Sequence, residues 1–422
     1  MRDVRTSSQR PMSAGVTSPR ADSASTRVLH SFPLWLPRTQ TWLYNEIVGL
    51  PDRITNHISC IDTWNLDRFG VPRLSSFSAD RDEWLGSLKE PYHRVRDTRG
   101  VGFVARTLER GAFQAYQRRA VRRNGIQVVH SHFGTVGWQN LPSIVGTGAR
   151  HVVTFYGYDV NRVPVQFARW RRRYRTLFRT VDRVLCEGPH MARCIEKLGC
   201  QPEKIRVHHL GVDLSALDFE PRNSLPRAPL RILMASSFHE KKGIPYGVAA
   251  VGMLNRDFPI ALTIVGDSTE DGRCSDEKGR IQDAVREYGL QDVTTFLGYI
   301  THAELLEQAR SHHVYLAPSV TASDGDTEGG APVSVIEMLG TGMMVVATRH
   351  CDIPNVVHHG ESGLLAPERD PEALARHLRW LVDHPDAWTE MARVGRRHVE
   401  REFDLRVQSE RLAAMYEELV EG

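Results

Sequence analysis

The chain has 422 residues, 41% of them hydrophobic and 25% charged, and a formal net charge of +3. That length exceeds what one domain needs and suits two. Without a run of about 18 apolar residues the sequence predicts no membrane-spanning helix, and without a recognisable binding fold its basic stretches do not point to nucleic acid.

The small net charge hides a polarity. Residues 27–213 hold 29 Lys/Arg against 16 Asp/Glu, and residues 214–422 hold 21 against 33. Opposite halves of this kind imply two domains with different partners. A basic half suits an anionic membrane surface or a pyrophosphate-bearing acceptor.

Residues 1–26 are rich in Ser, Arg, Thr and Pro and lack the apolar stretch of a secretory signal, so they read as a disordered tail. Arg27–Phe32 is the first predicted strand, running through the loop 36–42 into a helix. Ile126–His130, His151–Phe155, Arg183–Cys186 and Ile205–His208 follow as strands, with helical periodicity over 102–123 and 164–180. Within the latter, Phe167, Trp170, Tyr174, Leu177 and Phe178 share one face and arginines fill the rest. Such a helix either packs its apolar face on the core or lies on a membrane surface.

Leu214–Pro229 holds three prolines and reads as a hinge. The strand pattern then restarts with Leu230–Ser236, Ala261–Val265, Thr294–Leu297, Val314–Ala317 and Met344–Ala347. Helices are expected over 371–383, 386–400 and 405–420. The predicted fold class is α/β: two Rossmann-like, doubly wound domains, 27–213 and 230–400, joined by a linker over 214–229. They face each other across a cleft at the carboxyl ends of their strands. The loops 31–42, 131–138, 156–163, 236–243, 266–273 and 318–332 would line that cleft.

Six cysteines (Cys60, Cys186, Cys194, Cys200, Cys274, Cys351) match no zinc spacing and no disulfide framework, which fits a reduced, cytoplasmic setting. The pairs His208-His209, His312-His313 and His358-His359 sit beside strand-like runs and lack ligand spacing.

The most informative stretch is Asp324-Gly325-Asp326-Thr327-Glu328-Gly329-Gly330-Ala331-Pro332-Val333-Ser334-Val335-Ile336-Glu337. Gly329 and Gly330 let a ligand approach the backbone. Pro332 suits a first helical position, and the free amides of that first turn favour a phosphate or a sugar oxygen. Glu337, on the second turn, can accept two hydroxyls. Together these residues suggest a nucleotide-sugar site. Asp324 and Asp326 form an Asp-x-Asp pair, but beside the glycines they read as turn formers, and no metal is assigned.

This stretch resembles the donor-binding motif of the retaining GT-B glycosyltransferases of family 4, in the branch that builds colanic acid and other exopolysaccharides. The resemblance runs over most of residues 27–420, with eight residues between Glu328 and Glu337, one more than the family's usual spacing. His130-Ser131-His132-Phe133-Gly134 looks like the family's His-x-His-Phe-Gly segment. Thr154-Phe155-Tyr156-Gly157-Tyr158-Asp159 looks like Thr-Phe-His-Gly-Tyr-Asp, with Tyr156 in the His position. Leu316-Ala317-Pro318-Ser319 looks like the family's strand-end signature.

The resemblance implies a GT-B fold whose last helix, residues 401–422, packs back on the first domain. It implies a metal-independent, retaining hexosyltransferase without a cofactor. Lys242 and Glu328 would be catalytic. Ser237 (where the family has Arg), Lys242, Gly329, Gly330, Ala331, Pro332, Val333, Ser334 and Glu337 would bind the donor, and Glu337 would hold ribose hydroxyls. His132, Tyr156 and Asp159 would face the acceptor. The implied partners are a nucleotide-diphosphate sugar and a saccharide or lipid-linked acceptor, on a cytoplasmic protein with peripheral contact to an anionic membrane. Two rival readings are a nucleotide-sugar epimerase and a non-catalytic scaffold that binds a nucleotide-sugar.

Overall fold

The computed structural model describes residues 25–37, 40–91, 102–222, 229–268 and 275–422. The tail reading for residues 1–24, parts of the hinge and of the loops 31–42 and 266–273, and Cys274 lie outside the described residues. Two parallel sheets form the frame. The first contains β1 (Thr26–Trp35), β2 (Ile54–Thr63), β3 (Leu74–Ser76), β4 (Val128–His132), β5 (Arg150–Phe155), β6 (Arg183–Cys186) and β7 (Ile205–Val207). Its order is β3-β2-β1-β4-β5-β6-β7. The second contains β8 (Leu230–Ala235), β9 (Ile260–Val265), β10 (Thr294–Gly298), β11 (Val314–Ala317), β12 (Met344–Thr348) and β13 (Leu364–Ala366), in the order β10-β9-β8-β11-β12-β13. In each sheet the strand order reverses beside its first strand, and a crevice opens there at the carboxyl ends.

Strands covered on both faces read as continuous apolar runs, and all five residues of β12 are buried. β2, β3 and β13 escaped the sequence reading. β2 carries Asn, His and Asp among its apolar residues, and the other two are only three residues long.

The helix Arg169–Thr180 buries Trp170, Tyr174, Leu177 and Phe178 against β5 and β6. Its apolar face is thereby spent on the core, which removes the option of laying that face on lipid; Phe167, just before the helix, stays 43% exposed. Among the described residues no helix is long and apolar enough to cross a membrane.

The chain returns to the first domain at its end. Val212 pairs with Asp404, and the helix Leu405–Glu421 packs Leu412, Ala413, Tyr416 and Leu419 on Val28, Val128, Val152 and Leu185. Asp404 caps that helix by accepting from the amides of Arg406 and Val407. A helix so tied couples the position of the second domain to the core of the first.

Candidate active site

The loop after β11 builds the second domain's contribution. Asp324 Oδ1 accepts from the Asp326 amide at 2.9 Å and Asp326 Oδ1 from the Thr327 amide at 3.0 Å. Both aspartates are therefore turn formers, and they are also braced by cations: Arg162 of the first domain reaches Asp324 at 2.6 Å, and Lys241 reaches Asp326 at 3.4 Å.

The turn delivers Glu328 to the carboxyl end of β8, where the short helical turn Glu240–Lys242 places Lys242. Lys242 Nζ donates to Glu328 Oε2 at 2.7 Å, Ser319 Oγ donates to Oε1 at 2.8 Å, and the Glu328 amide donates to His350 Nε2 at 3.1 Å. Burial opposes the Glu328 charge, but Lys242 and Lys241 outweigh it and hold the carboxyl down at about 2. His350 in turn is tied through Nδ1 to Glu368 at 2.7 Å.

The following helix spans Val333–Thr341, with Pro332 just before it rather than inside it. Its second residue, Ser334, accepts from the Tyr315 hydroxyl at 2.8 Å. Glu337 meets His302 Nε2 at 2.9 Å, and that hydrogen bond raises the imidazole pKa. Lys242, Ser319, Glu328, Pro332 and Ser334 line one small cavity of about 20 Å³, room for about one water. Ser236 lines it too; Ser237 does not, and uses its carbonyl to accept from the His239 amide at 2.9 Å.

The first domain's contribution is built differently. Asp159, fully buried, accepts from the Gly134 amide at 2.6 Å and from the Tyr156 amide at 3.0 Å. It pins the loop after β4 to the loop after β5. Burial, partly offset by these amides, raises its carboxyl to about 6. The Tyr156 hydroxyl does not point free into the cleft: it shares a 2.6 Å hydrogen bond with His132 Nδ1. Its phenol is pushed well up, first by burial and then by Glu46.

Behind Tyr156, His30, His130 and His132 are completely buried, with ring nitrogens close enough together to suggest a metal site. Each nitrogen already has a partner. His30 meets His132 at 3.1 Å and Asn56 at 3.2 Å; His130 meets Tyr416 and Thr154, both at 2.6 Å; His132 Nδ1 is held by Tyr156. Burial lowers all three imidazoles, His30 to about 4. Neutral rings with one donor and one acceptor suit these bonds; the set that starts at Tyr156 and the one that ends on Tyr416 of the last helix meet where the rings of His130 and His132 stack at 4.1 Å.

The two contributions meet. A Cβ on Gly157 would stand 2.7 Å from the Gly329 Cα, and one on Gly329 would stand 2.4 Å from the Gly157 Cα. Both glycines also have positive φ, +97° and +81°, so only glycine permits this contact. Beside it, Asn161 donates to Thr327 Oγ1 at 2.6 Å. Asp352, from the loop after β12, accepts from the amides of His190 at 2.7 Å and Met191 at 3.2 Å. It thereby caps the first-domain helix Pro189–Lys197, which has no side-chain cap of its own. Glu187, against Gly330, has its carboxyl pushed well up by burial and then by Asp352.

The site thus joins an ammonium, the amino end of a helix, a buried carboxylate and a second carboxylate one helical turn on. This donor set suits a diphosphate and sugar hydroxyls. Sequence reasoning did not assign roles to Lys241, His302, His350, Asp352 and Glu187. The last three follow strands at their carboxyl ends, the same positional rule that singled out the other loops.

Comparisons with known proteins converge. Residues 79–216 match Glycosyltransferase Family 4 and residues 229–384 match Glycosyl transferases group 1. WcaL of Escherichia coli (strain K12), named as a colanic acid biosynthesis glycosyltransferase, is 30% identical over 294 residues, 68% of this chain and 70% of WcaL. The amylovoran biosynthesis glycosyltransferase AmsK of Erwinia amylovora is 29% identical, over 68% of this chain and 69% of AmsK. Among solved structures, HepE of Anabaena in complex with UDP superposes with a TM-score of 0.72 at 14% identity. It covers 93% of this chain and all of HepE. A glycosyltransferase from Rickettsia africae gives a TM-score of 0.72 at 16% identity, covering 94% and 99% of the two chains. With its two facing parallel-sheet domains and this relationship to WcaL, the chain belongs to the family 4 glycosyltransferases of exopolysaccharide biosynthesis and has the GT-B fold.

Proposed function

We propose that the chain moves a sugar from a nucleoside-diphosphate donor to a saccharide or lipid-linked acceptor, with retention at the anomeric carbon and without a metal. The observation that carries this reading is the Lys242–Glu328 pair, in which Lys242 from the turn after β8 meets Glu328 on the glycine turn that contacts the Gly157 turn of the first domain. The bond between the anomeric carbon and the diphosphate oxygen breaks, and negative charge grows on the leaving diphosphate. Lys242 exchanges its bond to Glu328 for one to that oxygen, and the first amides of the helix Val333–Thr341 add to the stabilisation. An acceptor hydroxyl attacks the face the diphosphate leaves, and its proton passes to the leaving phosphate oxygen. A Tyr156 phenol with a raised pKa is no base at neutral pH, and this route needs none.

Glu337 takes ribose hydroxyls in place of His302, while Gly329, Gly330, Ala331, Pro332, Val333 and Ser334 supply backbone next to the diphosphate and sugar. The acceptor reaches the seam over the Tyr156 turn, which His132 and Asp159 hold in shape. The arginine face of the helix Arg169–Thr180 supports peripheral contact with an anionic membrane on the cytoplasmic side.

A metal-free titration with UDP, GDP and ADP tests the donor site. HepE holds UDP, so a uridine nucleotide is the first to try. One nucleotide class is expected to bind, with affinity falling on the order of ten-fold or more in Glu337→Ala, since hydrogen bonds to a charged group are lost. Unchanged affinity in that variant would overturn the assignment of Glu337. No binding of any nucleotide would favour the scaffold reading.

A further inference from the structure

Beside the seam lies a second cavity, of about 510 Å³, that the donor reaction does not use. Its walls are the turn Tyr158–Arg162, the short helix Val163–Gln166, and the facing sides of the helices Arg169–Thr180 and Pro189–Lys197. Arg171, Arg175 and Lys197 line it, with Val160, Pro164 and Leu198, and no acidic side chain does. The volume falls within the usual range for small-ligand sites, roughly 300–1,000 Å³.

The cations in it are uncompensated. From Val163 to Val181 the chain has six arginines and no Asp or Glu. Among the described residues Arg171, Arg175 and Lys197 form no ion pair; Arg171 spends only its Nε, on the Pro164 carbonyl at 3.1 Å. A Cβ on Gly199 would come within 3.2 Å of Arg175 Cγ, so the bare backbone there makes room for the arginine stem along the cavity wall. Three positive charges converging on one concavity without a protein counter-ion are the arrangement that a multiply charged anion satisfies. The apolar wall, continued outside by Val165 at 59% exposure, gives an attached chain somewhere to lie.

The cavity also communicates with the reaction centre. Asn161, on its rim, donates to Thr327, the residue before Glu328. Val160 follows Asp159, which holds the Tyr156 turn. An acceptor anchored in the cavity by one end reaches the seam along this turn.

We infer that this cavity is an anion subsite for the acceptor, binding a phosphate or pyrophosphate ester whose attached saccharide extends to the Gly157–Gly329 seam. The inference rests on the transferase reading above. Its test separates the two by filling the donor site first. The full-length protein is saturated with the nucleotide it binds, so that nucleotide affinity is read independently, and is then titrated with inorganic pyrophosphate and with farnesyl pyrophosphate.

Pyrophosphate is expected to bind the nucleotide-loaded protein. In Arg175→Gln/Lys197→Gln its affinity should fall on the order of ten-fold or more while nucleotide affinity stays unchanged; these two exposed side chains carry no described bond whose loss would disturb folding. Arg175→Lys/Lys197→Arg should restore most of the binding. Tighter binding of farnesyl pyrophosphate than of pyrophosphate would identify a lipid-linked source for the anion. Equal binding would identify a free sugar phosphate. The proposal is overturned if the nucleotide-loaded protein binds neither probe, or if the double Gln variant binds both as the parent does. It is also overturned if the only effect of the variant is weaker adsorption to vesicles of phosphatidylcholine and phosphatidylglycerol.

Discussion

The two turns that meet at the cleft carry the same kinds of side chain and spend them in opposite ways. In the second domain, Lys242, Glu328 and Glu337 are paired with one another or with His302, through bonds that a ligand can replace one for one. In the first domain, His132, Tyr156 and Asp159 are committed inward, to His30, to one another's loops and to the Gly134 amide. Polar residues of a motif can therefore act at a cleft in two ways, by touching the ligand or by fixing the backbone that does. The partners' access to solvent tells them apart: Lys242 and His302 keep 19% and 58% of their side-chain surface exposed, whereas His132 is completely buried and, with all its partners in place, has nothing left to offer.

The sharpest way to break this comparison is to remove the exchangeable charge. Lys242→Ala is expected to slow turnover by about 100- to 1,000-fold with a smaller change in nucleotide affinity, as for loss of a group that acts on charge developing in the transition state. A loss confined to affinity would place Lys242 in ground-state binding instead. The same variant has a signature in stability. The Glu328 carboxyl is held at about 2, below its ordinary 4.5. Its ionised form therefore contributes stability that is present above pH 4.5 and fades as pH falls toward 2. Without Lys242 the burial that opposes the charge gains weight, and the destabilisation at neutral pH should reach about 3 kcal/mol. Melting temperatures of the parent and the variant should converge on acidification; a gap that widens toward acid would refute the pairing.

Next in size is the seam itself. Gly157→Ala sets a Cβ against the Gly329 backbone, and Gly157 has a φ of +97°. The turns must part, and a displacement of that order at a reaction centre costs on the order of 100-fold in rate. Nucleotide affinity should change little, because the groups proposed to hold the nucleotide all lie in the second domain. The measurements are kcat and solution scattering, with a larger radius of gyration expected for the variant. Full activity would mean that the two turns need not touch during the reaction.

Asp352 gives a milder handle on closure. It is a helix cap supplied by the other domain, and removing a cap costs about 0.5–2 kcal/mol. Asp352→Ala should loosen the seam, lower the melting temperature by a few degrees and raise the donor KM several-fold. If scattering and KM both stay at the parent values, the cap does not govern closure.

Much of this was legible in the sequence, for physical reasons. Parallel strands buried on both faces announce themselves as apolar runs, so β4 to β6, β8, β9, β11 and β12 stood out. The glycine turn was readable because few residue types other than Gly tolerate positive φ. The cross-domain partners were not. Arg162 with Asp324, Asp352 with the helix Pro189–Lys197, and Tyr416 with His130 join residues more than 150 positions apart. Nothing local marks them, and only the docking of two separately patterned domains brings them together. His302 escaped although its partner lies in the same domain, because nothing local marks it: it is an ordinary residue at the start of a helix until Glu337 arrives beside it.

The smallest expected effect on the reaction is also the most discriminating. Tyr156→Phe keeps the ring against Trp42 and Phe133 and removes only the hydroxyl that His132 holds at 2.6 Å. The buried imidazole then lacks a partner, which should cost about 1–3 kcal/mol of stability. Turnover should stay within a few-fold of the parent, because the amide of residue 156 still donates to Asp159 and the turn keeps its shape. A further His132→Phe change should leave turnover near that of the single variant but lower stability again, because it takes away the partner of buried His30 at 3.1 Å. The opposite result, turnover falling a hundred-fold at unchanged melting temperature, would mean that the hydroxyl leaves His132 when substrate binds and touches the reacting sugar. The first-domain turn would then belong with Lys242 and Glu337 among the groups a ligand recruits, and the contrast between the two turns would hold only for the empty cleft.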